Sequence, residues 1–148
     1  MLDRRDVLWA GLGLVAFASA ARAAEETAQK PAAGGEANQT QRALAKAIGQ
    51  CIEEGNVCLD HCLVLLGRGD TSLAECAKSV RDMLAVCSAT QALVAGSSAH
   101  VKAAVQLCID VCTDCERACR KHEAEHAICK ACANACAATI KAARAFLA

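Results

Sequence analysis

An all-α chain, folded as an antiparallel up-down-up-down four-helix bundle with a cysteine-lined core, follows from three observations. Twelve cysteines fall at steps of three, four, seven or eleven residues within their segments, spacings that return to one side of a 3.6-residue helix. Valine and isoleucine recur at three- and four-residue steps instead of alternating, so no strand pattern competes. Four such segments are joined by short connections, which force consecutive helices to lie antiparallel.

Targeting is separated from fold first. Arg4 and Arg5 precede an apolar stretch from Val7 to about Ala21, and Ala21-Arg22-Ala23 offers the small residues of a cleavage site. Residues 1–23 therefore read as a signal peptide, and Asp3-Arg4-Arg5-Asp6-Val7-Leu8 resembles the twin-arginine type. The expected location is the periplasm, reached by the twin-arginine route, with an ordinary secretory signal as the alternative. Residues 24–39 carry the chain's only proline, Pro31, and Gly34-Gly35, and read as a flexible linker. Residues 40–148 are enough for one domain with one core. Without Arg4, Arg5 and Arg22, 13 of 16 basic residues remain, and without Asp3 and Asp6, 14 of 16 acidic ones. A mature charge near −1 gives no electrostatic reason to expect nucleic acid or a membrane surface as partner.

The spacing predicts helices at about 40–66, 72–95, 98–121 and 124–147. In the first, Leu44, Ile48, Gly55 and Leu65 share the arc of Cys51, Cys58 and Cys62, with Glu53, Glu54 and Asp60 outside it, and Gly67 is the expected C-cap. Ser72-Leu73-Ala74-Glu75 reads as a capping box opening the second helix, whose core stripe is Leu73, Cys76, Val80, Met83, Cys87 and Val94. Gly96-Ser97-Ser98 separates it from the third. At about 100° per residue, Val101, Val105, Cys112, Cys115 and Cys119 lie within about 60° of Cys108, and Lys102, Asp110, Asp114 and Arg117 lie well away. The fourth helix carries Cys129, Cys132, Cys136 and Ile140. The connection Lys121-His122-Glu123-Ala124 lacks glycine and proline, but a turn is expected there because an unbroken helix would leave the last two stripes no common interior.

Up-down-up-down folding stacks the sulfur in layers. Cys62, Cys76, Cys119 and Cys129 come level at one end, followed by Cys58, Cys115 and Cys132, then Cys112 and Cys136, then Cys51, Cys87 and Cys108. Leu44, Val94, Val101 and Ile140 close the far end with hydrocarbon, so the column opens toward His122 and His126.

Twelve buried thiols admit three explanations. A disulfide-stapled exported bundle, structural or interactive in role, is favoured by cysteine content. Against it, cysteines three or four apart on one helix have Cβ atoms about 5–6 Å apart, whereas a disulfide needs about 3.5–4.5 Å. Metal suits the same pairs, because two thiolates a turn apart can grip one ion. Soft thiolate selects Cu(I), zinc or iron–sulfur clusters. One Cu(I) per thiolate leaves a neutral interior, while a few Zn²⁺ ions leave several uncompensated negative charges in an apolar core. Iron–sulfur clusters want a wrapping loop, and Cys112-x2-Cys115-x3-Cys119 lies in a continuous helical pattern. The third explanation, cysteine as a small hydrophobe, gives no reason to choose a reactive thiol twelve times. Glu123-x-x-His126 matches half of a di-iron motif with no second half, and no nucleophile–base pair or phosphate loop is present in the sequence, so an enzyme is not expected.

The succession C-x3-C, C-x3-C-x2-C-x3-C and C-x2-C-x3-C, closing with His126-x2-Cys129-x2-Cys132-x3-Cys136, resembles the bacterial copper storage proteins over about residues 40–148. The resemblance implies multiple Cu(I) ions per chain held by all twelve cysteines, as a reserve for copper enzymes or a buffer. It also implies homo-oligomers (tetramers), copper donor or acceptor proteins as partners, and a metal mouth lined by histidine or methionine. His122 and His126 flank the column at the last turn and are expected to guide or ligate copper. His61, about 60° off the first stripe, is an auxiliary candidate, and His100 is expected to be exposed. Met83, the one methionine past residue 23, faces the sulfur and offers either packing or a weak thioether contact.

Overall fold

The computed structural model describes residues 34–148, with side chains from residue 38. The expected signal peptide and most of the expected linker lie outside these residues. Four helices follow one another: α1 (Gly34–Gly67), α2 (Ala74–Ala95), α3 (Val101–Arg120) and α4 (Ala127–Leu147). Each packs against its two neighbours around the bundle, and the diagonal pairs α1/α3 and α2/α4 do not meet at backbone level. That spacing leaves an interior for side chains alone, and the four apolar stripes fill it.

α1 starts at Gly34, not near residue 40, so residues 34–39 continue the helix where linker was expected. Propagating a formed helix fixes one residue per added hydrogen bond, far cheaper than nucleating one. At the other end of α1 the left-handed residue is Gly69 (φ 91°), not the expected Gly67. Asp70 N–H donates to the Leu65 carbonyl and Gly69 N–H to that of Leu66, the paired bonds of a Schellman turn. α2 ends in the same way with Ser97 in the left-handed position (φ 49°), Ser98 N–H reaching Leu93 and Ser97 N–H reaching Val94.

The expected capping box is replaced by a 3-10 turn, Thr71–Leu73, capped by Asp70, whose carboxylate accepts from Ser72 N–H at 3.0 Å. Glu75 instead takes both its oxygens to Lys121 Nζ, at 2.8 and 2.9 Å, joining the start of α2 to the end of α3. The turn between α3 and α4 forms without glycine or proline: His126 takes extended backbone (φ −126°, ψ 100°) and so resets the chain direction. Leu44, Ile48, Val94, Val105 and Ile140 are buried at the end of the bundle away from this turn. There the Thr139 hydroxyl donates to the Ala47 carbonyl at 3.1 Å, and Thr90 donates to Val86 and Ala104, so the buried hydroxyls are paired.

Candidate metal centre

The sulfur stripe of each helix repeats the same short steps. α3 gives Cys108, Cys112, Cys115 and Cys119; α4 gives Cys129, Cys132 and Cys136; α1 gives Cys51, Cys58 and Cys62; α2 gives Cys76 and Cys87. Steps of three and four keep each set on one face, and the antiparallel order turns every face inward. All twelve are fully buried and all are free thiols. The disulfide staples weighed from the sequence are therefore absent.

Layering agrees with the expected register. Cys76 and Cys119 lie 3.4 Å apart at the turn end, and Cys58 stands 4.0 Å from Cys119. Cys115 and Cys132 are 3.9 Å apart in the next layer. Deeper, Cys87 meets Cys108 at 3.5 Å and Cys112 at 3.6 Å, while Cys51 meets Cys136 at 3.7 Å. Along α3 the pairs one turn apart measure 3.9 Å (Cys108, Cys112) and 4.0 Å (Cys115, Cys119), far beyond a disulfide bond. Four thiol triplets have all their sulfurs within 4.8 Å of one another: Cys51/Cys87/Cys112, Cys58/Cys76/Cys129, Cys58/Cys119/Cys132 and Cys115/Cys132/Cys136. Two sulfurs 3.4–4.0 Å apart can each bond one ion at about 2.3 Å with an S–metal–S angle of about 95–120°. The column is thus sized for ions between sulfurs, with little rearrangement.

The thiols share protons. Cys132 receives hydrogen bonds from Cys115, Cys119, Cys136 and Cys58, which hold it well below the usual thiol range. Cys119 and Cys136 donate to their neighbours and, buried as well, are held far above it. Hydrogen bonds from Cys112 and Cys87 pull Cys108 down to about 4. Near the turn end burial leads: it raises Cys129 to about 11, helped by the Cys76 charge. For Cys62 the bond from Cys58 lowers, but bonding to Cys76, burial and the Cys76 and Cys129 charges outweigh it, pushing the thiol up to about 12. A monovalent soft cation entering this network replaces the proton of a thiol that still carries one and neutralises a sulfur already held as thiolate, such as Cys108 or Cys132, so one cation per sulfur leaves the interior uncharged.

The histidines gather where the column meets solvent. His61 Nε2 and His126 Nδ1 are 3.2 Å apart, and the His122 ring centroid is 6.5 Å from that of His126. All three are half-buried, while His100 is exposed. His61, about 60° off the first sulfur stripe and an auxiliary candidate by its spacing, belongs to this group. The signal available was its position beside Cys62 at the C-terminal end of α1, where any residue is carried to the α3–α4 turn. Met83 is fully buried, and its sulfur accepts a hydrogen bond from Cys51 at 3.5 Å.

A sequence profile for the copper storage proteins (Csp) matches residues 37–148. The chain belongs to the copper storage protein family. Two solved structures from Streptomyces lividans are similar to it. One is a cytosolic copper storage protein with five coppers loaded, 29% identical, with a TM-score of 0.70, covering 77% of this chain and 97% of its own. Another is the copper storage protein Ccsp loaded with 10 copper equivalents, 27% identical, also at TM-score 0.70, covering 80% of this chain and 92% of its own. No curated protein matches the chain significantly. Membership makes copper storage the role of this bundle, in place of the stapled, zinc and iron–sulfur alternatives. It also corrects the periplasmic location expected from the N-terminus: a family relative with this fold is cytosolic, and that finding overturns the assignment. No helix among the described residues is long and apolar enough to cross a membrane.

Proposed function

We propose that the protein stores Cu(I) by filling the sulfur column, with all twelve cysteines as ligands and His61, His122 and His126 as the mouth through which ions pass. The observation that carries this reading is continuity: buried sulfurs approach one another at 3.4–4.0 Å from Cys76 and Cys119 at the turn end down to Cys87 and Cys108, within helices and between them. Each Cu(I) bonds a thiolate, displacing the proton where the sulfur still carries one, and pairs of sulfurs share ions, so the filled core is neutral. Imidazole at the mouth suits an ion still exchanging with water, while thiolate deeper inside holds it more strongly. Bundles of this kind associate as tetramers, and copper donor and acceptor proteins meet the histidine end. The chemistry is holding and release, with no bond made in a substrate.

Anaerobic titration of the reduced protein with Cu(I), against a competing chelator and with thiols counted at each step, tests the reading. Uptake is expected to approach about one ion per thiol, close to the twelve cysteines of the chain, with thiol reactivity falling in step. An endpoint of one to four ions would point to a discrete cofactor site and overturn storage in this column.

A further inference from the structure

The α2 stripe has a gap that the other helices lack. Between Cys76 and Cys87 lie eleven residue steps, about 16 Å of helix, in which α3 places Cys112 and Cys115. Val80 and Met83 occupy the inward positions of that interval, and both are fully buried. On the facing helix, the step between Cys51 and Cys58 passes through Gly55, the one inward position of the α1 sulfur stripe with no side chain.

These two departures meet. A Cβ at Gly55 would sit 2.6 Å from Met83 Cε and 2.9 Å from Leu84 Cδ2, so any larger residue there would collide with the methionine end. Because Gly55 leaves that space, the Met83 chain extends across it and brings its sulfur 3.5 Å from Cys51 Sγ. Cys51 in turn stands 3.7 Å from Cys136 and belongs to the triplet with Cys87 and Cys112. We infer that Met83 is a thirteenth sulfur ligand, its thioether sharing a Cu(I) ion with Cys51 deep in the column, and that Gly55 is the opening that lets it reach.

This deepens the storage reading and rests on it. Chemistry separates the thioether from the thiols around it. A thioether carries no proton and no charge, so an ion bound by Cys51 and Met83 displaces a single proton and leaves the pair neutral. Two thiolates on the same ion stay neutral only where each also bridges a second ion, whereas a thioether partner needs no such second ion to balance it in the buried layers. Thioether is also a donor for Cu(I), whereas zinc takes thiolate, imidazole and carboxylate. Met83 therefore favours the monovalent ion at the end of the column farthest from the histidines.

Met1 and Met83 are the only methionines, so selenomethionine labelling gives one internal reporter. Selenium-edge X-ray absorption of the Cu(I)-loaded full chain is expected to show copper at bonding distance, and the labelled Met83→Leu chain, which reports Met1 alone, is expected to lack it. Leucine nearly conserves the volume, so helix content should hold. In a competitive Cu(I) titration of M83L, about one ion should weaken by tenfold or more, on the scale that losing even an outer-shell partner costs. A wild-type chain that loads many Cu(I) ions without a selenium–copper shell overturns the Met83 assignment and leaves storage standing. A wild-type chain that takes up one to four ions sinks the storage reading itself and this assignment with it.

Discussion

The two ends of the bundle use one architecture for opposite purposes. Toward the α3–α4 turn the inward positions are mostly cysteine, with Leu73, Val80 and Met83 among them on the α2 side, down to Cys51, Cys87 and Cys108; beyond them they become Leu44, Ile48, Val94 and Val105, with Thr90 and Thr139 hydrogen-bonded into the backbone. The periodicity does not change across the boundary, only the side chains. Hydrocarbon is committed to one packed arrangement, whereas a thiol column is neutral when protonated and neutral again when each proton is replaced by Cu(I). Stability without metal thus belongs mainly to the far end, and capacity to the near one.

The strongest test of that division is metal itself. The reduced, copper-free protein is expected to be helical and compact by circular dichroism, because the hydrocarbon end and the hydrogen-bonded sulfurs form a core without copper; a random coil would break the comparison at once. Copper bound to the native state alone should then add about 2.7 kcal/mol for each site held at a hundredfold excess over its dissociation constant. Summed over many sites, this exceeds any single substitution, and denaturant midpoints measured against added Cu(I) should climb stepwise until the column fills.

Next in size is Leu44→Ala. Leu44 is fully buried in the hydrocarbon end, where its truncation leaves a cavity costing about 2–5 kcal/mol of apo-protein stability. Copper capacity, measured on the folded fraction, should be unchanged. A loss of ions in this variant would mean that the two ends are not separable. The converse variant, Cys115→Ala with Cys119→Ala, should remove a few ions from the endpoint while circular dichroism shows the helices intact, each truncation costing about 1–2 kcal/mol as the loss of a small buried group. Complete loss of binding would show a single cooperative cluster instead of a column.

The column is legible in the sequence because cysteine steps report directly on one helix face, and antiparallel order then sets which cysteines come level. Cys76 with Cys119, and Cys115 with Cys132, meet as that register requires. Chain reversals were less legible. Gly69, not Gly67, takes the left-handed backbone after α1, and Ser97 takes it within the Gly96-Ser97-Ser98 break, since a cap is chosen by which residue can close two hydrogen bonds at once. The place of His61 is hidden from the sequence for a related reason: its contact with His126 joins residues 65 positions apart, and an angle on one helix cannot report what the opposite turn brings to it. The gap in the α2 stripe was visible as spacing, but its filling by Met83 depends on Gly55 across the interface, which only packing reveals.

The smallest effect tests how the hydrocarbon end is sealed. Thr139 sits one turn past Cys136 on α4, fully buried, at the point where the sulfur stripe gives way to Ile140 and Ala143. Its hydroxyl donates to the Ala47 carbonyl on α1 at 3.1 Å, tying the two helices just below the deepest thiols. Thr139→Val keeps the shape and removes the donor. Ala47 retains its own helical hydrogen bond, so the loss should be about 1 kcal/mol, read as a lowered denaturant midpoint with an unchanged slope. The number of Cu(I) ions bound should not move. A drop in capacity from this change would show that Thr139, whose side chain also hydrogen-bonds Cys51, helps to hold that sulfur against Cys136, and the boundary between the two ends would then be coupled across α1 and α4.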